Sequence, residues 1–151
     1  MIADKLSELD PKNTNLYQTN GKKFEKDMLD NFDVWKKRMA ATGITEFVSF
    51  HRNFAYFCDA FNLKCSLQLE PKPGIPPSAS HLITVINEIK SRKIKLVLIE
   101  NYFDDSISGK ITQSSPDVKV IRVPISVLGE PQIKTNVDLI ENLVKTFESA
   151  K

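Results

Sequence analysis

Residues 95–100 read KLVLIE, and this stretch decides the fold. A strand with one solvent-exposed face alternates apolar and polar residues. This run, by contrast, has no polar residue from Leu96 to Ile99. An unbroken apolar run of this length is typical of a strand that is buried on both faces in a parallel sheet. We therefore predict a buried strand here, with helices packed on both of its faces.

Strand and helix patterns alternate on both sides of this run. EFVSF, LKCSLQL and VKVIRV predict three further strands, at 46–50, 63–69 and 118–123. Strand followed by helix, four times over, indicates parallel strands joined by right-handed crossovers. The predicted fold is α/β, a four-stranded parallel sheet with helices on both faces. The helices are predicted at 52–61, 81–90, about 104–113 and about 133–150.

One long helix is predicted ahead of the sheet, at 11–41. At about 1.5 Å per residue, its roughly thirty residues would reach roughly 40 Å, and Gly43 is placed to end it. We interpret it as an amphipathic backbone helix that precedes the sheet. Its apolar residues recur at intervals of three and four and form one face: Phe24, Met28, Phe32, Trp35 and Met39.

The connection between the second strand and the following helix is unusually stiff. Residues 69–82 read LEPKPGIPPSASHL and hold half of the chain's eight prolines. Proline fixes φ and keeps the residue before it extended. Gly74 is the one residue of the segment that can adopt a left-handed backbone conformation without strain. Ser78 is placed to cap the following helix. We expect this segment to cross the sheet edge in a fixed position and to hold Glu70 there.

Composition excludes several classes of protein. The 151 residues carry 21 basic and 19 acidic side chains, a net charge of +2, which is too balanced for a nucleic-acid surface. No glycine-rich phosphate-binding motif is present. No apolar run approaches the roughly 20 residues of a membrane span, and the first residues lack the pattern of a signal peptide. We therefore expect a soluble chain without a signal peptide.

The two cysteines are Cys58 and Cys65. Their spacing fits neither a zinc knuckle nor a redox motif. We expect buried free thiols, because free cysteine favours the protein interior. A bridge between them becomes possible only if the protein functions outside the cytoplasm.

Polar side chains follow all four predicted strands. His51 follows the first strand, Glu70 the second and Glu100 the third, and Ser126 lies just past the fourth. Parallel α/β sheets bind their ligands beyond these carboxyl ends. Polar residues also collect at strand ends because loops are solvated. On the pattern alone, a binding site and an ordinary set of solvated loops both stay open.

The order of these motifs resembles one protein family. SFHRNFAYFCDAFNLK, then LEPKPGIPPSASHL, then an apolar strand ending in ENYF, and finally PISVLGEP are similar to segments of the extracytoplasmic metal-binding receptors of zinc and manganese ABC importers. The upstream ADKLSELDPKNTNLYQTNGKKFEKDM resembles the segment that leads into that family's long inter-lobe helix. The resemblance covers nearly the whole chain, in order and at the right spacings.

The resemblance implies one part of a two-lobed receptor, in which metal lies in the cleft between two α/β lobes. Residues 1–42 would form the inter-lobe backbone helix region, and residues 43–151 the C-terminal lobe. The family's N-terminal lobe supplies two histidine ligands, and neither has a counterpart in this chain. The implied location is periplasmic or otherwise extracytoplasmic, and the implied partners are a divalent metal ion and an ABC permease.

The resemblance also assigns roles at the strand ends. His51, directly ahead of the aromatic FAYF stretch, matches the histidine ligand of the C-terminal lobe. Glu100 matches a glutamate common in the family, which we interpret as an acid lining the cleft or supporting a ligand and only secondarily as a ligand itself. His81 matches a position that the family does not use for metal, so we expect it to be structural.

One departure from the family pattern affects the metal site. Many members carry an aspartate ligand just after the fourth strand, and this chain has Ser126 there. Water, Glu100 or Glu130 would then fill the fourth position, or the site is degraded. The residues expected to line the cleft are Glu70, Ser126 and Glu130.

The first functional hypothesis is a metal-binding lobe and not an enzyme. Zinc, or alternatively manganese, would be the transported ligand, and no catalytic cofactor is implied. Imidazole is a good ligand for zinc, whereas manganese prefers oxygen ligands, so zinc is favoured. One histidine and at most two oxygen ligands fall short of a four-ligand site, so the chain alone should bind zinc weakly or negligibly.

Two alternatives remain. A small metal-dependent hydrolase would use His51, Glu100, Asp104 and Asp105, although the two aspartates are better explained as caps of a helix that begins near Ser106. The other alternative is a truncated fragment with an interaction role only. Its backbone helix would expose part of an apolar face and self-associate.

Overall fold

The computed structural model of the protein describes residues 1–104 and 106–151. The chain divides into two compact units, Met1–Lys36 and Lys37–Lys151. Within the described residues, no helix combines the length and the hydropathy that a membrane crossing requires. In chain order the helices and strands are α1 (Ile2–Leu9), α2 (Thr14–Thr42), β1 (Glu46–Ser49), α3 (Ala55–Phe61), β2 (Lys64–Gln68), α4 (Ala79–Arg92), β3 (Leu96–Glu100), α5 (Ser108–Ser114), β4 (Lys119–Val123) and α6 (Asn136–Ser149).

The second unit contains the predicted sheet. Its four strands lie in the order β2-β1-β3-β4, and all neighbouring strands are parallel. Every residue of β3 is buried, as the KLVLIE stretch indicated. The predicted α/β fold is confirmed, and β2 and β4 are its two outer strands.

Both faces of the sheet are covered by helices. On one face, Val48 of β1 and Val97 of β3 belong to a buried cluster with Val85 and Ile89 of α4. On the other face, Phe47 of β1 is 0% exposed. Its ring meets Phe54, at the start of α3, at 5.5 Å between centroids and Phe147 of α6 at 5.2 Å, both edge to face. Neighbouring residues of β1 therefore pack into two separate apolar layers, one on each face of the sheet.

The last turns of α2 lie in the second unit and are joined to α6 by an arginine. The guanidinium of Arg38 donates to the carboxylate of Glu148 at 2.8 Å and to that of Glu141 at 2.7 Å. These three charge-assisted hydrogen bonds, two to Glu148 and one to Glu141, raise the pKa of Arg38 above its ordinary value. α6 is capped at its own start by Thr135, whose hydroxyl accepts the backbone N–H of Asp138 at 3.1 Å.

The first unit contains a helix that the sequence analysis did not predict. α1 precedes α2, and a 3-10 turn at Pro11–Asn13 separates them. The side chain of Gln18 donates to Asp4 at 2.9 Å, and a Cβ placed on Gly21 would lie 3.2 Å from Cβ of Ala3. α1 therefore folds back along the start of α2. The long helix predicted at 11–41 is present as α2.

The expectation of free thiols was wrong, because Cys58 and Cys65 form a disulfide. The Cα atoms are 6.3 Å apart, within the usual span of a disulfide. Cys58 lies on α3 and Cys65 on β2. The bridge therefore joins the helix that follows His51 to the strand that leads to Glu70.

Removing this disulfide should lower the free energy of unfolding. We expect a loss of about 2 to 3 kcal/mol in the double variant Cys58→Ala/Cys65→Ala, because a short closed loop restricts the unfolded chain. Urea denaturation of the variant and of the oxidised wild type measures the difference. Reduced wild type is the control and should lose most of the same stability; equal stability in the oxidised and reduced states would contradict the bridge.

Candidate metal centre

His51 lies in the turn between β1 and α3, at the carboxyl edge of the sheet. Phe50 continues the pairing of β1 by donating its N–H to the carbonyl of Leu98 at 2.9 Å. The hydroxyl of Ser49 then donates to the carbonyl of His51 at 2.8 Å. The imidazole is 29% exposed. A partly exposed imidazole thus stands at the end of a fully buried strand.

Glu70 reaches His51 because of the register of two parallel strands. Ser49 of β1 pairs with Gln68 of β2, and the backbone N–H of Glu70 donates to the carbonyl of Phe50 at 3.0 Å. This register places residue 51 beside residue 70, and the Glu70 carboxylate contacts Nδ1 of His51. The pairing of the ring with a buried acid follows directly from how the two strands align.

The contact with Glu70 decides which ring nitrogen is free. An ionised carboxylate only accepts hydrogen bonds, so Nδ1 of His51 carries the proton that is donated to Glu70. In the neutral ring, Nε2 then keeps its lone pair. A carboxylate behind a histidine in this way is the common support of metal-binding imidazoles, because it fixes the ring's tautomer and orientation.

Glu70 also holds the proline-rich connection. Its second carboxylate oxygen accepts the backbone N–H of Gly74. Gly74 has φ +79°, a left-handed conformation that favours glycine. Glu70 itself is only 8% exposed, and the following helix starts where Ser78 accepts the N–H of His81 at 3.2 Å. The expected fixed crossing of the sheet edge is therefore held by one buried acid.

Glu100 supports the His51 turn from the neighbouring strand. It ends β3 and is 0% exposed, and its carboxylate accepts the backbone N–H of His51 at 3.2 Å. Burial raises the pKa of Glu100, and the hydrogen bond from the His51 N–H opposes that rise. In this arrangement the carboxylate contacts the backbone of His51 and faces away from solvent.

Two neighbouring residues were missed by the sequence analysis. The side-chain amide of Asn53 donates to the hydroxyl of Tyr102 at 3.4 Å. Burial raises the pKa of the Tyr102 phenol, and the charge of nearby Glu100 adds to the rise. Tyr102 belongs to the ENYF stretch directly after Glu100, so its place beyond a strand end was the available signal.

Ser126 and Glu130 lie in a separate loop after β4. The carbonyl of Ser126 accepts the N–H of Gly129 at 3.0 Å, and the side chain of Asn101 donates to the carbonyl of Gly129 at 2.8 Å. A Cβ on Gly129 would lie 3.0 Å from the Ser126 carbonyl oxygen, so this loop leaves little room for a side chain there. The carboxylate of Glu130 accepts from Gln132. Among the described residues, neither Ser126 nor Glu130 is hydrogen-bonded to His51.

The remaining sequence candidates lie outside this group. His81 points its Nε2 at the carbonyl of Gln68, 3.3 Å away, which is the structural role expected for it. The carboxylate of Asp104 accepts the N–H of Ser106 at 2.7 Å, and hydrogen bonding by Ser106 lowers the pKa of Asp104. Asp105 lies outside the described residues.

These residues do not make up a metal site by themselves. Within residues 1–104 and 106–151, no group of three or more histidine, cysteine or acidic residues is placed to hold a metal ion. What the edge supplies is one imidazole with Nε2 available and two buried acids that fix it. Structural zinc sites use four protein ligands, and catalytic sites use three with water.

The whole chain matches one family of proteins. Residues 1–150 match the family described as ZnuA, zinc-uptake complex component A, periplasmic. The chain belongs to this family. The resemblance seen in the sequence is therefore confirmed, and the ZnuA family is one of solute-binding receptors. No curated protein matches the chain.

Solved structures of similar fold include two whose names contain a metal. The chain is similar to a Zn(II)-bound mutant variant of AdcAII from Streptococcus pneumoniae, with 24% identity and a TM-score of 0.79. It is similar to a mutant of the laminin-binding adhesin Lmb from Streptococcus agalactiae, with 25% identity and a TM-score of 0.81. It is also similar to the SBP FpvC from Pseudomonas aeruginosa in complex with Mn²⁺, with 24% identity and a TM-score of 0.74.

The alignments cover nearly all of this chain but only about half of each solved structure. The alignments cover 99%, 99% and 98% of this chain but 54%, 57% and 55% of AdcAII, Lmb and FpvC. This ZnuA-family chain therefore spans about half the length of these structures.

Proposed function

We propose that this chain is the C-terminal, metal-binding half of the solute-binding receptor of a zinc or manganese ABC importer. Residues 1–42 form its inter-lobe helix region and residues 43–151 its lobe. The receptor works outside the cytoplasm and delivers metal to a membrane permease. The observation that supports this proposal is the His51 imidazole, which stands at the carboxyl edge of the sheet with Nδ1 held by Glu70.

We propose that His51 binds the metal through Nε2. Glu70 serves as its positioning residue, and Glu100 stabilises the turn that carries it instead of binding the ion. Ser126 stands where many members have an acidic ligand, so the remaining ligands come from the other half of the receptor or from water.

The donor chemistry favours zinc over manganese. The available donor is an imidazole nitrogen, which suits zinc, whereas manganese is bound mainly by carboxylate, carbonyl and water oxygens. The two acids nearest the ring are 8% and 0% exposed, and both are engaged in hydrogen bonds. An ion at His51 would therefore meet few protein oxygens.

The proposed partners are a divalent metal ion, the ABC permease and another copy of the chain. Self-association is supported by exposed apolar residues of the first unit. Ile2 is 81% exposed and Leu9 70% on α1, and Leu29 is 63% exposed on α2. Exposed apolar side chains on adjacent helices favour contact with a second apolar surface.

Zinc titration of the ¹⁵N-labelled chain tests the proposal. We expect saturable NMR shifts at His51, Glu70 and Gly74, with an affinity weaker than about 1 μM because most ligands are missing. Mn²⁺ should produce weaker binding at the same place. His51→Ala should remove the saturable shifts.

His81→Ala is the matched control, since it removes the other of the two histidines. It should leave zinc binding unchanged, because His81 contacts the backbone of Gln68 and belongs to no acid–histidine pair. Submicromolar zinc binding that survives His51→Ala would overturn the site assignment.

A further inference from the structure

A pocket lies at the opposite end of the sheet from His51. Its volume is about 390 Å³, and it is bounded by the end of α4, the segment that leads into β3 and the segment that leads into β4. We call this cavity, lined by residues 89, 90, 93–95 and 114–118, the basal pocket. Ligand pockets commonly measure about 300 to 1,000 Å³. The five residues of β3 run from the basal pocket to the opposite edge, where Glu100 ends the strand.

The backbone around the basal pocket is fixed by hydrogen bonds. Lys93 ends α4 in a left-handed conformation with φ +57°, and the N–H of Ile94 donates back to the carbonyl of Ile89 at 3.0 Å. On the opposite wall, the N–H of Val118 donates to the carbonyl of Ser115 at 3.1 Å. The N–H of Lys119 joins the two walls by donating to the carbonyl of Lys95 at 2.8 Å. The backbone that bounds the basal pocket is therefore held in place by its own hydrogen bonds.

The floor of the basal pocket is apolar. Ile89 is 1% exposed, Ile94 4% and Val118 7%, and all three belong to the buried cluster beneath α4. Ser115, also in the lining, is 7% exposed, and its hydroxyl has no hydrogen-bond partner among the described residues. A buried hydroxyl without a partner is costly, so a ligand or water that hydrogen-bonds to this serine would relieve that cost.

The rim of the basal pocket is positively charged. Lys90, Lys93 and Lys95 line it, and in the part of the chain that the structure describes none of them has an ion-pair partner. Arg92, by contrast, is paired with Glu46 at 3.0 Å and Glu88 at 2.6 Å. Asp117 is the one carboxylate of the lining, so positive charge is in excess there.

We propose that the basal pocket binds a small organic anion, a phosphate or carboxylate group carried on an apolar body. The lysines contact the anionic group, the isoleucines and Val118 contact the apolar body, and the Ser115 hydroxyl gains a partner. This inference is independent of the proposed metal site, because it uses neither His51 nor its supporting acids.

Phenyl phosphate is a probe that combines both parts of this ligand. Titrated into the ¹⁵N-labelled full chain, it should produce saturable shifts at 89–95 and 114–118 and leave the amides of His51 and Glu70 unmoved. Inorganic phosphate and phenol represent the two halves separately, and each should bind about tenfold more weakly. Added salt should weaken phenyl phosphate and inorganic phosphate but leave phenol unchanged.

Three variants separate the basal pocket from general surface charge. Lys90→Gln/Lys95→Gln should weaken phenyl phosphate binding by about tenfold, because two uncompensated charges are removed. Lys64→Gln/Lys110→Gln removes the same charge away from the pocket and should change nothing. Ser115→Ala should weaken binding while leaving the pocket lysines in place.

The proposal fails on any of three results. Shifts that do not saturate, or that spread over Lys64 and Lys110 as much as over the pocket, would mean nonspecific attraction to surface lysines. Equal affinity in Lys90→Gln/Lys95→Gln and in the wild type would also overturn it.

Discussion

Phe47→Ala should lower the free energy of unfolding by about 3 to 5 kcal/mol. Phe47 is fully buried, and its ring joins α3 and α6 through edge contacts with Phe54 and Phe147. Truncation removes a large apolar area from the interior and leaves a cavity beside the Phe54 and Phe147 rings.

Urea denaturation followed by circular dichroism measures this loss. Tyr56→Ala is the matched control, because it truncates an aromatic side chain of α3 that is 93% exposed. It should change the free energy of unfolding by less than about 0.5 kcal/mol. Comparable losses in the two variants would show that the face of the sheet beneath α3 and α6 is not the packed layer described above.

Glu70→Gln should reverse the tautomer of His51 and weaken zinc binding by about 10- to 100-fold. Glutamine keeps an oxygen that can accept the Gly74 N–H, so the proline-rich connection stays held. Its amide presents N–H groups to Nδ1 of His51, which then becomes an acceptor. The proton moves to Nε2, and the lone pair proposed for the metal is lost.

The tautomer is read without any metal, from the side-chain ¹⁵N shifts of His51 at a pH where the ring is neutral. The wild type should show the proton on Nδ1, and Glu70→Gln should show it on Nε2. Glu70→Ala is the comparison, since it removes both hydrogen bonds and should also increase exchange of the Gly74 amide. An unchanged tautomer in Glu70→Gln, with zinc affinity retained, would exclude Glu70 as the positioning residue.

The sheet was predictable because a strand that is buried on both faces has an unbroken run of apolar residues in the sequence. β3 has no solvated side, so its residues are apolar without alternation. The ends of helices were less predictable. A helix expected from residue 52 begins at Ala55, because the residues before it form the turn that holds His51.

α1 was missed because eight residues give a weak helical signal. Ile2, Leu6 and Leu9 are spaced for one helical face, but short helices are marginal without tertiary contacts, and those contacts involve α2. The disulfide was missed for a related reason. A preference of cysteine for the interior says nothing about distance, which depends on how α3 returns to β2.

The candidate site was only partly visible in the sequence. His51, Glu70 and Glu100 could each be placed at a strand end, since parallel strands share one edge. Their roles could not be assigned, because these depend on register. Pairing of Ser49 with Gln68 is what brings the ring to Glu70, and a slip of one residue would turn the acid to the opposite face.

The two edge strands of the sheet, β2 and β4, affect whether the protein aggregates at high concentration. An unpaired outer strand is a template for adding strands from other molecules, which leads to fibrils. Here Lys64 begins β2 and Pro71 follows shortly after its end, while Lys119 and Arg122 are exposed on β4. Charge and proline at both borders oppose strand addition, so precipitation through cross-β growth is disfavoured in the folded state.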